Sequence, residues 1–412
     1  MKLMKIAASL ALALSLNAAE VEVLHWWTSG GEAQGAAELK KMLEAKGHTW
    51  KDFAVAGGNA SNAMTVLKSR AVSGNPPSSA QIKGPSILEW AELNVLSNLS
   101  EVATKEGWDQ KIPARFAQGL KYKGAYVAVP VNVHRLNWMW CNKEIFDKLN
   151  LTPPTTWEEF DEVAKKIKEA GISPVAQGGQ DWQEATLFEI IVLGVGGAGF
   201  YNRALVDLED EALKDPLMVK SFEVLRMVQS YADKNSTGQD WNLATAEVFN
   251  GKAAMQFMGD WAKGEFIVAK KKPGVDYLAL PAPQTKGSFM YNIDSFAMFR
   301  QSDPEKVKAQ EDLARAILSP EFQITFNQKK GSVPVIHGMD KSLFDDVAKA
   351  SMNDLEEADK NGTLVPSMAH QMAVRDKFKS IFFDVVTEFY NSNMSAKDAA
   401  EKLAKEIAAE KE

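Results

Sequence analysis

Two adjacent tryptophans leave an alternating run in the stretch VEVLHWWTSGGEAQ at 21–34, and a Gly-rich turn and a carboxylate, Glu32, follow them. A strand that opens into a glycine turn lets backbone and side chains approach a ligand closely. The residue types suit one chemistry in particular. A saturated ring rimmed with hydroxyls offers C–H faces that aromatic rings can cover. Its rim suits ionised side chains, whose hydrogen bonds are about twice as strong as neutral ones. Further platforms stand among the 11 tryptophans, Trp241 in GQDWNL and Trp261 in MGDWAKG. Trp26 also has a core reading, since neighbours along a strand point to opposite faces.

The elements that must position these groups are those of a layered α/β protein. VEVLHWW reads as one strand. EAQGAAELKKMLEAKG reads as the helix after it, with Ala37, Met42 and Leu43 on the apolar side and Gly47 closing it. AVPVNVHRLNWMWCNKEIF reads as an extended segment that enters a helix. In PPTTWEEFDEVAKKIKEAG, Thr156 and Glu159 form a capping box and Gly171 ends the helix. Ser395 and Asp398 repeat the device before the terminal helix.

Composition bounds the function. The chain has 412 residues, 45% hydrophobic and 25% charged, which fits two to three globular domains. A net charge of −7 argues against nucleic acid as a partner. Lys2 and Lys5, an apolar run at 6–16 and the small Ala18 and Ala19 read as a signal peptide over residues 1–19, so the mature chain begins near Glu20. No later run reaches the roughly 20 consecutive apolar residues of a bilayer span. The one cysteine, Cys141, lies far from the cleavage region and offers neither a disulfide nor a lipid anchor, which puts the protein free in a periplasm. His25, His48, His134 and His337 show no paired spacing, so no metal and no cofactor is expected.

Four segments, LTPPTTWEEFDEVAKKIKEAGISPVA, FNGKAAMQFMGDWAKGEF, AVPVNVHRLNWMWCNKEIF and the Ala-rich terminal helix, together resemble the family 1 extracellular solute-binding proteins of sugar ABC transporters. HWWTSGGE, QIKG, NIDSF, KKGSVPV and MAHQ are similar to the periplasmic glucose-binding proteins of its maltose-type branch. The resemblance implies a type II two-lobed fold with the ligand cleft between lobes and a hinge crossed more than once. Lobe one takes 20–129 and 283–335; lobe two takes 130–282 and 336–412. Pro130, which interrupts a strand, and the breakers of LPAPQTKG suit hinge crossings.

The resemblance also assigns roles. Trp27, Trp241 and Trp261 wall the sugar, with Trp26 beside them. Glu32, Lys83, Asp294, Lys330 and His370 grip the rim, with Gln81 and Asn132 as secondary contacts and the choice between Lys329 and Lys330 open. Loops around Trp182 and Trp241 set the depth of the site. The implied function is capture of a monosaccharide, glucose first and galactose second, by a monomer that closes and delivers it to a membrane permease. A chemoreceptor is a second partner of the same closed surface.

Two other readings compete. GVGGAG at 194–199 formally satisfies G-x-G-x-x-G, but the acidic DLEDEALKD that follows is not the strand a dinucleotide site requires, and a small-residue helix end is preferred. Glu32 and Asp294 could be the carboxylate pair of a glycoside hydrolase. Against this enzyme stands the resemblance of nearly the whole chain to non-catalytic binders.

Overall fold

The computed structural model describes residues 18–57, 60–233 and 236–412; the leader proposed for 1–19 lies outside them except for Ala18 and Ala19. Glu20–His25 alternates, and it pairs in parallel with Thr49–Ala54 on one side and Ser79–Gln81 on the other. Helices Gly30–Glu44 and Ser61–Val72 make the crossovers that parallel strands require. The sheet is completed by Ser295–Met298, antiparallel to Ser79–Gln81, and by Ala128–Pro130 at its edge.

A second sheet runs in the order Tyr277–Pro281, Trp138–Asn142, Ala253–Phe257, Ser173–Val175. Its core is dominated by the helix Asp181–Tyr201. With the turn that follows it, 181–206 has the length and composition of a membrane span, contrary to the expectation that no later run would. Most of it is buried inside the lobe, so its apolar surface is core. Gly194 is the reason it can pack so closely: a Cβ there would stand 2.7 Å from the Pro283 carbonyl. The GVGGAG run is therefore the end of a helix, kinked at Gly197, and not a phosphate loop.

A third sheet joins the lobes, in the order Val333–Pro334, Asn132–Arg135, Phe289–Asn292, Leu364–Pro366. Its strands serve both cores at once. Val133, Phe289, Tyr291 and Leu364 pack in the first core, while Met290 and Val365 pack in the second, because successive side chains leave a strand on opposite faces. Division by sequence put everything after 335 in lobe two. Phe344, Ala348, Met352 and Ala358, on and before the helix Asp346–Asn361, pack instead in the first core, with Val347 between them touching the second, which the chain enters fully at Val365.

Local signals mostly hold. Thr156 and Glu159 form the capping box of Trp157–Glu169, and Ser395 accepts from the Asp398 N–H. The first helix differs. It begins at Gly30, so its buried stripe is Gly35, Ala36, Leu39 and Leu43, with Ala37 exposed and Met42 half-buried. Glu32 thus lies in its first helical turn rather than in a loop.

Candidate functional site

The ends of the parallel strands face the second lobe, where ligands of open α/β sheets bind. Trp26 and Trp27 follow Glu20–His25 directly, and both line a cavity between the lobes because the strand has already ended and its alternation no longer applies. Glu32 reaches the cavity from the first turn of its helix. Lys83 stands between Ser79–Gln81 and the helix Gly84–Glu92. Asp294 occupies the link from the third sheet to the first, and Lys330 is the last residue of the helix Pro320–Lys330. The second lobe adds Trp182, Trp241, Trp261 and His370.

Side chains from segments hundreds of residues apart thus surround about 20 Å³ of space, room for a water but not for a pyranose. A ligand of that size enters only when the lobes part. At the contact between them, side chains are missing where backbones must meet. A Cβ on Gly84, whose φ is +46°, would stand 1.9 Å from the Gln371 carbonyl oxygen. One on Gly331 would stand 2.3 Å from that of Asp260.

The charged groups are buried and paired. Lys330 Nζ donates to Glu32 Oε1 at 2.5 Å, and Lys83 Nζ lies 3.3 Å from Asp294 Oδ1. Lys329 turns the other way, to Glu38, so it is Lys330 that faces the cavity. Both lysines also approach aromatic faces, Lys83 over Trp26 at 5.0 Å and Lys330 over Trp27 at 6.0 Å. Burial works against the charge of Asp294, but Lys83 and His134 outweigh it and hold the carboxyl well below its ordinary range. Burial likewise lowers Lys83, with Asp294 opposing.

His134 is the centre of this network, and the sequence reading passed over it. Its Nε2 lies 3.2 Å from Asp294, and its Nδ1 is bonded to Asp260. Burial disfavours the imidazolium, but the two carboxylates outweigh burial and raise its pKa. Glu32, Asp260 and Asp294 therefore balance Lys83, Lys330 and His134. Asn292 was passed over as well; it sits directly across the antiparallel pair from His134, and its Oδ1 is buried without a partner. Both lie two residues from a named contact, Asn132 and Asp294, and that spacing on a strand was the available signal.

The two secondary contacts do not line the cavity. Gln81 Oε1 accepts from the Trp26 N–H at 3.3 Å, and Asn132 donates to Ser332 at 2.8 Å while lying 2.9 Å from His134 Nε2. They hold cavity residues in place.

The opposite wall is aromatic. Trp261 lies 6.4 Å from Trp182, 6.5 Å from Trp241 and 4.9 Å from His370, ring centre to ring centre. Its ring folds over Gly259, where a Cβ would come within 2.4 Å, and Asp260 is pinned by the Arg135 backbone on both sides. The indole nitrogens of Trp27 and Trp261 are buried without partners, donors available to a hydroxyl. His370 Nε2 lies 3.0 Å from the Thr186 hydroxyl, which itself donates to the Trp182 carbonyl at 2.7 Å. The histidine must then donate through Nε2, which leaves Nδ1 as an acceptor. Burial, with Lys83 and His134 nearby, holds its pKa well below the ordinary value, so it stays neutral.

Residues 29–324 match the family described as bacterial extracellular solute-binding protein. A probable sugar-binding periplasmic protein of Rhizobium meliloti (strain 1021) is 48% identical over 407 residues, 98% of each chain. One of the same description from Brucella melitensis biotype 1 is 46% identical over 421 residues, the whole of both chains. Among solved structures, the bacterial solute receptor AcbH, described as having an exclusive substrate preference for β-D-galactopyranose, superposes with a TM-score of 0.80. That match covers 95% of this chain and 99% of the other at 18% identity, a likeness of fold.

Proposed function

The chain belongs to the bacterial extracellular solute-binding proteins, as a periplasmic sugar-binding protein of an ABC transporter, and we propose that it captures one neutral monosaccharide, glucose before galactose, by closing its lobes around it. The observation that carries this reading is the single small cavity walled by Trp27, Trp182, Trp241 and Trp261 and edged by paired charges. Its charged groups already compensate one another, so a neutral polyol can exchange hydrogen bonds with them without leaving a charge unpaired, whereas a sugar acid or amine would unbalance them. Side chains of both lobes converging on so small a space favour one ring over a chain of rings.

The motifs HWWTSGGE, QIKG and MAHQ, similar to those of glucose binders, supply Trp26, Trp27, Glu32, Lys83 and His370 to this cavity. Closure brings both lobes to one face for a permease, and it is favoured only as far as the sugar contacts the closed state better than the open one. A hydrolase would need a carboxyl raised in pKa to act as its acid. Asp294 is instead held ionised and Glu32 is engaged by Lys330.

Calorimetry against glucose, galactose, mannose, xylose and maltose tests the reading. Glucose should bind tightest and maltose weakly, with no reducing ends released from maltose. Preference for maltose, or for a charged sugar, would reject it.

A further inference from the structure

From Leu187 to Leu193 the helix Asp181–Tyr201 is apolar at every position but one, Glu189, which is fully buried in the second core. A carboxylate in such a place is strongly unfavourable unless donors surround it. Four do so here. The Met368 and Ala369 N–H groups donate to Glu189 Oε2 at 2.8 and 3.1 Å, and the Tyr201 hydroxyl stands 2.9 Å from the same oxygen. The Ser367 hydroxyl donates to Oε1 at 2.6 Å. Burial pushes the carboxyl up to about 7 although all four donors oppose it.

Three of the four donors belong to one loop, 367–371, which leaves the strand Leu364–Pro366. Successive N–H groups make a concavity for an anion, and the anion here is the protein's own. Ser367 Oγ in turn accepts from the His370 N–H at 3.0 Å, so a single hydroxyl joins the buried carboxyl to the backbone of a cavity residue. The loop then ends on Gln371, whose φ is +64° and whose carbonyl meets Gly84 of the first lobe.

The same face of the helix reaches the site twice more. Thr186 and Trp182 precede Glu189 by three and seven residues, the spacing that keeps side chains on one side of a helix. Thr186 Oγ1 takes the His370 Nε2 proton, and Trp182 stands against the edge of the His370 ring at 5.7 Å.

We propose that Glu189 is a positioning residue for the sugar site: it holds the loop 367–371 from inside the second lobe and, with Thr186, fixes His370 so that Nδ1 faces the ligand. Glu189 acts on the ligand through His370 and does not line the cavity. The proposal rests on reading the cavity as a sugar site and does not depend on which sugar fills it.

Glucose calorimetry, long-range proton–nitrogen correlation spectra of His370 and amide hydrogen exchange over 368–370 test it. Thr186→Val keeps the shape and loses the hydroxyl. Glucose should then bind about three- to tenfold more weakly, and His370 should appear as a mixture of neutral tautomers. Thr186→Ser should restore both the affinity and the single tautomer, a signature that packing alone would not move. Ser367→Ala cuts the link from Glu189 to the His370 N–H, so it should weaken binding about threefold and speed exchange at that amide. Glu189→Leu should weaken binding about tenfold. Glu189→Gln keeps an oxygen for the two amides and turns its NH2 to Ser367 Oγ, and it should bind within about twofold of the unaltered protein. Should the leucine variant not fold, Ser367→Ala carries the decision. Unaltered affinity in Thr186→Val, in Ser367→Ala or in a folded Glu189→Leu overturns the proposal, as does a glutamine variant that loses as much as leucine. If the unaltered protein binds no sugar of the panel, the sugar reading fails separately, and the ligand-free protein decides. There a single His370 tautomer in Thr186→Val, or unchanged exchange at the His370 amide in Ser367→Ala, rejects the positioning role.

Discussion

The wall that the first lobe gives to the cavity carries the ionised groups beside Trp26 and Trp27, and the wall that the second lobe gives is aromatic and uncharged. Lys330 with Glu32 and Lys83 with Asp294 are pairs formed within the first lobe, so they stay compensated whether the cleft is open or shut. The second lobe contributes Trp182, Trp241, Trp261 and a neutral His370, none of which carries a charge that water must rescue on opening. The difference teaches how a cleft can be strongly polar and still move. Charges are confined to one rigid body, and the sliding partner offers faces. At the cavity itself, His134 with Asp260 sits at the hinge strand, where Asp260 is also tied to the Arg135 backbone, and away from it Lys263 of the second lobe pairs with Asp345 at 2.7 Å.

The largest effect should come from breaking a pair on the ionised wall. Asp294→Asn leaves Lys83 and His134 as neighbouring buried cations, and it should cost about 3–5 kcal/mol, seen in calorimetry and as a lowered melting temperature. A loss under about 1 kcal/mol would mean that the ionised wall is not what grips.

The tryptophans divide by lobe. Trp27 packs on Phe296 at 5.4 Å and Phe326 at 5.2 Å, so Trp27→Ala should lower stability by about 3–5 kcal/mol as well as affinity. Trp261→Ala should spend its effect on sugar binding, about 1–3 kcal/mol, with a smaller fall in melting temperature. Thermal denaturation with and without glucose separates the two; equal falls in stability would erase the contrast.

Gly84→Ala leaves both walls intact and obstructs their meeting at Gln371. Affinity should drop about tenfold, or about 1.4 kcal/mol, and small-angle scattering in glucose should show a more open molecule. A variant that closes normally would show that the backbone contact yields easily.

The smallest effect is a matter of sign. His134 has a raised folded pKa, so its contribution is full below about pH 6.5 and is lost as pH rises above that, through the raised folded value. His370 is depressed, so its contribution is present above about pH 6.5 and is lost as pH falls. The two histidines lower melting temperature on opposite sides of about pH 6.5, while buried Glu184 and Glu189, both raised to about 7, lower it as pH rises from about 4.5 toward 7. His370→Gln should flatten the acid limb by about one proton, roughly 1.4 kcal/mol per pH unit at most. An acid limb unchanged in that variant would locate the titration elsewhere.

Much of this arrangement was legible in residue types. Trp26, Trp27, Glu32, Lys83, Asp294, Lys330 and His370 were marked by short motifs at element ends, and the structure brings all seven around one cavity. Capping residues such as Thr156 and Ser395 were readable because a cap is a local bond. What could not be read depends on pairing between distant segments. His134 looked like an unpaired histidine because Asp260 and Asp294, its partners, arrive 126 and 160 residues later. Phe344 and Ala348 went to the other lobe because nothing local shows that the chain returns through the third sheet before Val365.

The central place of Ser295–Met298 in the first sheet has a consequence for the order of assembly. It lies between Ser79–Gln81 and Ala128–Pro130, and Ser79 bonds to the Ala297 carbonyl across 218 residues of chain. Until that strand has been synthesised the sheet is split, with two exposed edges and no cover for Ala80 or Val129. A nascent chain in this condition gains little by folding, since the loop it must close comes before the contacts that reward closure. For a protein destined for the periplasm, the same topology that builds the cleft delays compaction until most of the polypeptide exists, and so keeps the emerging chain threadable.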